Sequence, residues 1–469
     1  MSRRPWPLCL VAVVACGRLG FDAIGDRSGD GGGSDDAPST GSAGPRYLIE
    51  LDANPTAPAI AGKQGRVAVL EGFQGAITVV GTALAGQAMY ASSGLVWLDP
   101  TGVAASSTVL DSTSTCQIRT LGNAVAGDGV LAAGFSQAGA TTPGYGPCAI
   151  ATSRQDGIAI AIDTAASQSL VADVQSSPFN IQTWFAAGHA GGDVALTGIY
   201  GGGGMLGSAS LPATSSDENP FLARVDPTTH LPRWALAVTS TDSMGAGPID
   251  PDGDDLCATG SFSGNQTVFG TALISAGLRD VWIARFDRDG TPRFVRALGS
   301  STQDSVGAGA SIVATSDGGC TLAAPIAGDV AIDSFSLPVA QGPVVVVRFD
   351  ATGVATAAIR TGGVQLAHLG DRVFAALPCT ATCKLSDLSY AAIGDDVVIA
   401  SLDPQFHATQ IAALTGGAKT LVQLAAVSPD ALAVAFSASA PTTFGALSLT
   451  PTAPGPVNAL ALYGVAPAQ

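Results

Sequence analysis

The segment DPDGDD at positions 250–255 contains four aspartates, and three of them, at positions 250, 252 and 254, alternate with other residues. Closely spaced carboxylates on a glycine turn suit calcium, a hard cation that binds oxygen ligands. The distal glutamate of an EF-hand loop is missing from this segment, and the aligned segment SDGG at 316–319 has the composition of a plain hairpin turn. We therefore expect Asp250, Asp252 and Asp254 either to bind calcium or to form such a turn, and no other cofactor is predicted.

The cysteines after position 16 could form disulfides. They are Cys116, Cys148, Cys257, Cys320, Cys379 and Cys383. An even set in an exported chain predicts disulfide bonds. Cys379 and Cys383 are close enough to staple a local loop, and Cys116 could pair with Cys148. The remaining two occupy equivalent positions in adjacent repeats, so they either pair with each other or remain buried thiols.

Other residue types that carry out catalysis form no motif. The histidines lie at His189, His230, His368 and His407, without the spacing of metal ligands. The sequence contains no Gly-x-Ser-x-Gly elbow, HExxH motif or P-loop. Glutamate, which often acts in glycoside hydrolysis, occurs only at Glu50, Glu71 and Glu218. The sequence therefore predicts no catalytic residue.

The composition is that of an apolar, acidic protein. Charged residues make up 12% of the 469 residues, and the formal net charge is −16. Nucleic-acid binding needs a basic surface, so this class of partner is excluded. No run of about 18 apolar residues follows the N-terminus, so no membrane-spanning helix is predicted. Segments such as 344–347 and 459–463 are apolar at successive positions, which is typical of strands packed on both faces.

A unit of about 60 residues recurs along the chain, as in repeat architectures. The residue pattern within a unit predicts two strands, an Asp-x-x-Gly turn, a third strand and a closing hairpin, in that order. The units begin at Phe73, Phe135, Tyr200, Phe262, Ile326, Leu377 and Phe436. The turns begin at Asp99, Asp287 and Asp350, and altered turns begin at Asp226 and Asp403.

The last unit is incomplete, and its missing half is found at the start of the chain. The segment PRYLIEL at 45–51 matches PRFVRAL at 292–298, and residues 58–72 match the closing hairpin at 310–324. Strands from the two ends would then share one blade, which leaves no exposed end of the array. We therefore predict an all-β, seven-bladed β-propeller over residues 46–469.

The best-formed unit contains the segment GLRDVWIARFDRDG at 277–290. It resembles the bacterial β-propeller repeats abbreviated SBBP, which carry a pattern similar to Gly-x-x-Asp-x-Phe-Val-Ala-Lys-Leu-Asp-x-x-Gly. The resemblance extends over nearly all of residues 46–469. It implies a propeller in an exported, surface-associated protein, and it implies no activity, because the family has no catalytic signature.

Residues 1–15 have a positive start and a short apolar stretch, as in a signal peptide. The segment VVAC at 13–16 resembles the lipobox of bacterial lipoproteins, which implies cleavage before Cys16 and lipid attachment to its sulfur. An ordinary signal peptide with a chance cysteine is the alternative. Residues 16–45 are rich in Gly, Ser and Asp, which predicts a disordered tether. Gly17 rather than aspartate after the cysteine favours the outer membrane, with the propeller at the cell surface or on the periplasmic side.

These observations lead to three functional hypotheses. The leading one is a non-enzymatic interaction or adhesion scaffold, anchored by Cys16, whose blade loops bind an unknown protein or glycan. The second is a secreted carbohydrate-active enzyme with its site in the central funnel, which convergent carboxylates there would favour. The third is a structural component of a surface coat.

Overall fold

The computed structural model describes residues 43–466, except for 53–57, 87–90, 112–115, 124–128, 137–155, 177–180, 189–191, 215–217, 241, 243, 305, 307–308, 418 and 454. Nearly all regular structure in this part of the chain is β-strand, and one short 3-10 helix spans Val339–Gln341. None of the described residues belongs to a helix with the length and hydropathy that crossing a membrane requires.

Seven antiparallel sheets of four main strands form the blades, and strands are numbered in chain order. Blade one contains β2 (Ala59–Lys63), β3 (Arg66–Gln74), β6 (Ala91–Leu98) and β7 (Ala104–Asp111). Blade two contains β8 (Cys116–Asn123), β9 (Val130–Ser136), β10 (Asp156–Ile162) and β11 (Gln168–Ser176), and blade three contains β12 (Ile181–Gly188), β13 (Val194–Tyr200), β16 (Asn219–Asp226) and β17 (Leu231–Ala237). Blade four contains β18 (Gly245–Asp252), β19 (Asp255–Phe262), β22 (Asp280–Phe286) and β23 (Pro292–Leu298), and blade five contains β24 (Ser311–Ala314), β25 (Cys320–Pro325), β28 (Val344–Phe349) and β29 (Ala355–Thr361). Blade six contains β30 (Gln365–Leu369), β31 (Arg372–Cys379), β34 (Asp396–Leu402) and β35 (Ala408–Thr415), and blade seven contains β36 (Lys419–Ser428), β37 (Ala431–Ala438), β40 (Val457–Gly464) and β1 (Gly44–Asp52).

In the part of the chain that the structure describes, small hairpins are inserted between the second and third strands of six blades. They are β4 (Ala76–Val79) with β5 (Thr82–Ala85), β14 (Gly204–Leu206) with β15 (Ala209–Leu211), β20 (Asn265–Val268) with β21 (Thr271–Ile274), β26 (Val330–Ile332) with β27 (Phe335–Leu337), β32 (Thr382–Leu385) with β33 (Leu388–Ala391), and β38 (Thr442–Phe444) with β39 (Leu447–Leu449). Two of them, β14–β15 and β38–β39, extend the sheet of the preceding blade by pairing with its outer strand.

The ring is closed by the two ends of the chain, as predicted. The inner strands contact one another in the order β2, β8, β12, β18, β24, β30 and β36, and β36 contacts β2 again. The outer strand of blade seven is β1, which pairs antiparallel with β40, so that Ile49 lies opposite Leu460 and Tyr47 opposite Leu462. The predicted seven-bladed propeller with a shared closing blade is thus confirmed.

The blade boundaries differ from the sequence units. The hairpin at 58–72, expected to complete the shared blade, instead supplies β2 and β3 of blade one. The reason is the phase of the repeat: all seven predicted unit starts lie within two residues of the end of the second strand of a blade. Each sequence unit therefore runs across two blades, and its closing hairpin begins the following blade.

The Asp-x-x-Gly turns connect the third and fourth strands of their blades. The Asp287 carboxylate accepts hydrogen bonds from the backbone N–H groups of Asp289 and Thr291, at 3.0 and 2.9 Å. Gly290 has a φ of 81°, in the left-handed region that glycine tolerates best. In the altered turn after Asp403, Phe406 occupies that region, with a φ of 65°. The aspartate therefore fixes the turn even where glycine is missing.

These turn glycines also serve the packing between blades. A Cβ on Gly290 would lie 2.8 Å from the ring of Trp234 in the preceding blade, and one on Gly353 would lie 2.8 Å from the ring of Phe294. Tyr47 covers Gly102 in the same way across the closure. An aromatic side chain of each outer strand in these three pairs thus rests on the next blade's turn, where only glycine leaves room.

Two of the predicted disulfides are present. Cys257–Cys320 joins β19 of blade four to β25 of blade five, with a Cα–Cα distance of 6.1 Å, and Cys379–Cys383 closes a loop within blade six. Because its loop is much longer, the first bond should contribute about 4 kcal/mol to stability and the second about 2 kcal/mol in the chain-entropy treatment. Cys148 and the side chain of Cys116 lie outside the described residues, so their pairing stays a prediction.

Candidate functional site

The three aspartates of the predicted calcium loop have different partners. Asp250 is buried on β18, and its carboxylate accepts a hydrogen bond from the Ala314 N–H at 2.7 Å. Asp252 is the last residue of β18 and forms an ion pair with Arg285, whereas Asp254 lies in the hairpin turn and forms one with Arg224. Within the described residues, no group of three or more His, Cys, Asp or Glu side chains is arranged to hold a metal. Calcium binding stays a prediction, and each of the three carboxylates is held by a hydrogen bond or an ion pair to the protein.

The central channel holds a buried acid–imidazole pair. Asp250 of blade four lies 3.3 Å from the Nε2 atom of His368 in blade six, and both side chains are almost completely buried. The Nδ1 atom of the same imidazole lies 3.0 Å from the Gly370 carbonyl oxygen. The Nδ1 atom is thus within hydrogen-bond distance of a carbonyl and the Nε2 atom within ion-pair distance of Asp250, so this pair links blades four and six across the ring.

Side chains of the inner strands accept hydrogen bonds from backbone N–H groups at the inner edges of neighbouring blades. Besides Asp250, the Gln423 side chain accepts a hydrogen bond from Ile60 N–H at 2.9 Å, and Ser311 Oγ accepts one from Leu366 N–H at 3.2 Å. Unpaired edge N–H groups are costly when buried, which explains these polar residues. Among inner strands whose side chains are described, only β18 carries carboxylates, and the convergent set expected for a catalytic funnel is not formed there.

A polar cleft between blades three and four is the strongest candidate site in the described part of the chain. It encloses about 630 Å³ at the end of the ring where the Asp-x-x-Gly turns lie. Three guanidinium groups, three carboxylates and one indole line it: Arg224, Arg233, Arg288, Asp193, Asp254, Asp289 and Trp234. Of these residues, only Asp254 was predicted from the sequence to belong to a site.

Arg224 is the buried anchor of this cleft, with only 3% of its side chain exposed. Its Nε donates to Asp193 of its own blade at 2.8 Å, and its Nη2 donates to Asp254 of the next blade at 2.8 Å. Its Nη1 donates to the Asp254 carbonyl oxygen at 3.0 Å. Charge-assisted bonds of this kind hold the carboxylates in fixed positions, so the cleft is built before any ligand arrives.

Trp234 is fixed by its surroundings as well. Its indole Nε1 donates to the Arg288 carbonyl oxygen at 2.9 Å, and part of its ring lies over Gly290. It is also stacked near Phe286, with ring centroids 6.3 Å apart. The cleft therefore presents a rigid, half-buried aromatic surface beside its charged groups.

The next cleft, between blades four and five, shows which features are ordinary for the repeat. Arg285 there repeats the role of Arg224: it pairs with Asp255 at 3.1 Å and donates to the Gly319 carbonyl oxygen at 2.5 Å. Phe294 takes the place of Trp234. The turn residues Arg288 and Asp289 correspond to an alanine and a threonine at 351–352. The indole and the exposed turn charges therefore distinguish the first cleft.

The spacing of the buried arginines was a usable signal in the sequence. Arg224, Arg285 and Arg348 occupy equivalent positions on the third strands, and each forms an ion pair with an aspartate of its own blade. They recur at the period of the repeat, and each is followed within two residues by the aspartate of the turn. A search for charged residues conserved in phase among the units would have found them.

The sequence matches no protein-family model, and it matches no curated protein. Solved structures with a similar fold include an acylaminoacyl peptidase from Pyrococcus horikoshii, at 10% identity, a TM-score of 0.44, and coverage of 86% of this chain and 54% of that one. The β-propeller domain of the Trilobed protease from Pyrococcus furiosus has 8% identity, a TM-score of 0.43, and coverage of 84% and 95%. A polysaccharide lyase of family PL25, an ulvan lyase, has 12% identity, a TM-score of 0.39, and coverage of 88% and 96%. The chain spans about half the length of the acylaminoacyl peptidase.

These comparisons contradict the leading functional prediction. A non-enzymatic interaction or adhesion scaffold was expected, whereas the three similar structures named above are a peptidase, a protease domain and a polysaccharide lyase. At such identities the likeness indicates the fold alone, and a propeller can be catalytic or not. The function of this protein therefore has to be inferred from its own residues.

Proposed function

We propose that this protein is an exported carbohydrate-active enzyme whose saccharide site is the cleft between blades three and four. One observation carries the proposal: a fixed indole, guanidinium groups and solvent-reaching carboxylates line the same cavity. Sites for small ligands combine an aromatic surface with a few oriented polar groups. Sugar hydroxyl groups both donate and accept hydrogen bonds, so arginine and aspartate side chains together suit them.

The carboxylates supply the chemistry that this class of reaction needs. Glycoside hydrolysis generally uses two carboxyl groups, one as acid and the other as base or nucleophile. Asp254 has 50% of its side chain exposed and is held by Arg224, and Asp289 is exposed on the neighbouring turn. We assign these two residues to the reacting bond and Trp234 to the adjacent sugar ring.

Conversion of Asp254 and Asp289 to asparagine should abolish activity while leaving the fold intact, because asparagine keeps the shape and removes the proton-transfer group. The measurement is the release of reducing ends from a panel of neutral and acidic polysaccharides by the purified full-length protein. A loss of at least about a hundredfold is expected for a group in acid–base catalysis. Asp371→Asn, an exposed aspartate on blade six, is the control and should keep full activity. Absence of turnover on every polysaccharide by the wild-type protein would refute the proposal.

We further propose that the enzyme is a lipoprotein of the outer membrane, held through Cys16 and related to the SBBP-type propellers. The lipobox-like segment and the Gly/Ser/Asp-rich stretch before β1 support this location. Stable anchoring needs more than one acyl chain, and lipidated cysteines of this class carry several. Cys16→Ser should move the protein from the membrane fraction of a Gram-negative host to its soluble periplasmic fraction. Identical partitioning of variant and wild type would contradict the anchor.

A further inference from the structure

We infer that the cleft between blades three and four takes an uncharged saccharide rather than an acidic one. This inference rests on the proposed function and specifies its substrate class. It follows from how the charges of the cleft are paired, from the charge of the whole protein and from the position of the indole.

The guanidinium groups of the cleft are already engaged by carboxylates of the protein. Arg224 is bonded to Asp193 and Asp254, as described above. Arg233 donates to Asp226 at 2.8 Å and lies 3.5 Å from Asp193. Binding the carboxylate of a uronic acid would require breaking one of these pairs, and the aspartate left behind would repel the ligand.

Arg288 is the least constrained of the three cations. It is 73% exposed and lies 3.9 Å from Asp254. A single solvated guanidinium contributes little to the binding of an anion, since water and salt screen it. The lining carries as many carboxylates as guanidinium groups, and the whole chain has a net charge of −16. An acidic glycan would therefore be repelled at long range and gain no compensating charge in the cleft.

The same groups suit neutral sugar rings well. Paired guanidinium and carboxylate groups keep lone pairs and N–H donors that hydroxyl groups can use without any change of charge. The aliphatic face of a sugar can pack against the rigid surface of Trp234, whose orientation needs no ordering on binding. In the neighbouring cleft Phe294 is buried and the turn charges are replaced by alanine and threonine, so that cleft serves as an internal control.

The test is calorimetric titration of the full-length protein with four hexasaccharides: cellohexaose, maltohexaose, mannohexaose and hexagalacturonate. At least one neutral ligand should bind, with an affinity that changes less than about twofold between about 50 and 500 mM salt. Trp234→Phe, which copies the neighbouring cleft, should weaken binding about tenfold or more by removing the larger ring and its fixed N–H. Thr352→Ala, at the position that corresponds to Asp289, should bind as the wild type does.

Binding of hexagalacturonate in preference to all three neutral ligands, with strong salt dependence, would overturn the inference. Failure of every neutral ligand to bind would overturn it as well. These outcomes are separate from failure of the proposed enzyme: turnover of an acidic polysaccharide alone would keep the enzyme and reject the neutral substrate. Neutral binding without any turnover would keep the ligand class and reject catalysis.

Discussion

Replacing Arg285 with methionine should lower the free energy of unfolding by about 3–5 kcal/mol, the usual cost of breaking a buried ion pair by removing one partner. Arg285 is 3% exposed and bonded to Asp252 at 3.0 Å, to Asp255 at 3.1 Å and to two carbonyl oxygens of blade five. Methionine fills a similar volume and cannot donate to any of them. The carboxylate of Asp252 and the Gly319 carbonyl oxygen would lose a charged donor in a buried place.

Arg293 provides the matched control for this substitution. It pairs with the same Asp255, at 3.0 Å, but half of its side chain is exposed. Exposed ion pairs contribute about 0–1 kcal/mol, so Arg293→Met should hardly change the urea midpoint. Equal effects of the two variants in equilibrium urea unfolding would show that Arg285 does not join blades four and five.

Glu71→Gln should remove a fall in stability that the wild-type protein shows as the pH rises above 5. Glu71 is fully buried on β3 of blade one. Burial raises its pKa well above the usual value, and the nearby Asp52 carboxylate raises the pKa further. Asp52 belongs to β1 and accepts a hydrogen bond from Asn458 at 3.0 Å, so the acid pair lies where blade one meets the closing blade.

The direction of this change in stability with pH follows from the number of protons that each state binds. Folded Glu71 stays protonated at a pH where the unfolded residue ionises, so the folded state binds more protons and loses relative stability as the pH rises. One such proton corresponds to about 1.4 kcal/mol per pH unit between the ordinary glutamate pKa and the raised one. The measurement is the unfolding free energy at several values between about pH 5 and pH 8. A wild-type profile parallel to that of Glu71→Gln would contradict the raised pKa of Glu71.

The fold was predictable because its signals are local and repeated. The strand pattern recurs along the chain, an aspartate begins the turn in five of the units, and the match between residues 45–51 and 292–298 identified the closing strand. The positions of the blade boundaries were not predictable, because the period of a repeat is the same whichever residue is taken as the start of a unit. Only the pairing of β2 with β3, and of β3 with β6, shows that residues 58–72 belong to blade one.

The cleft could not be found from motifs, because its partners lie far apart in the chain. Arg224 meets Asp254 only when two blades pack together, 30 residues apart in sequence. The acidic loop looked like a metal site because its carboxylates are adjacent in sequence, whereas the β18–β19 hairpin points Asp250 and Asp254 toward different partners. Spatial partners, rather than residue types, decided the roles of these side chains.

Every blade position, including the cleft between blades three and four, depends on closure of the ring by β1. The most direct measurement is disulfide formation between cysteines placed at 49 and 460, which lie opposite each other in the β1–β40 pairing. Opposed Cα atoms in an antiparallel pair are about 4.5–5.5 Å apart, within the range of a disulfide. Ile49→Cys with Leu460→Cys should cross-link almost completely on mild oxidation, as read by peptide mass mapping. Ile49→Cys with Leu462→Cys is displaced by two residues, about 7–8 Å, and should stay reduced. An uncrosslinked 49–460 pair, or equal cross-linking of both pairs, would contradict the closed ring.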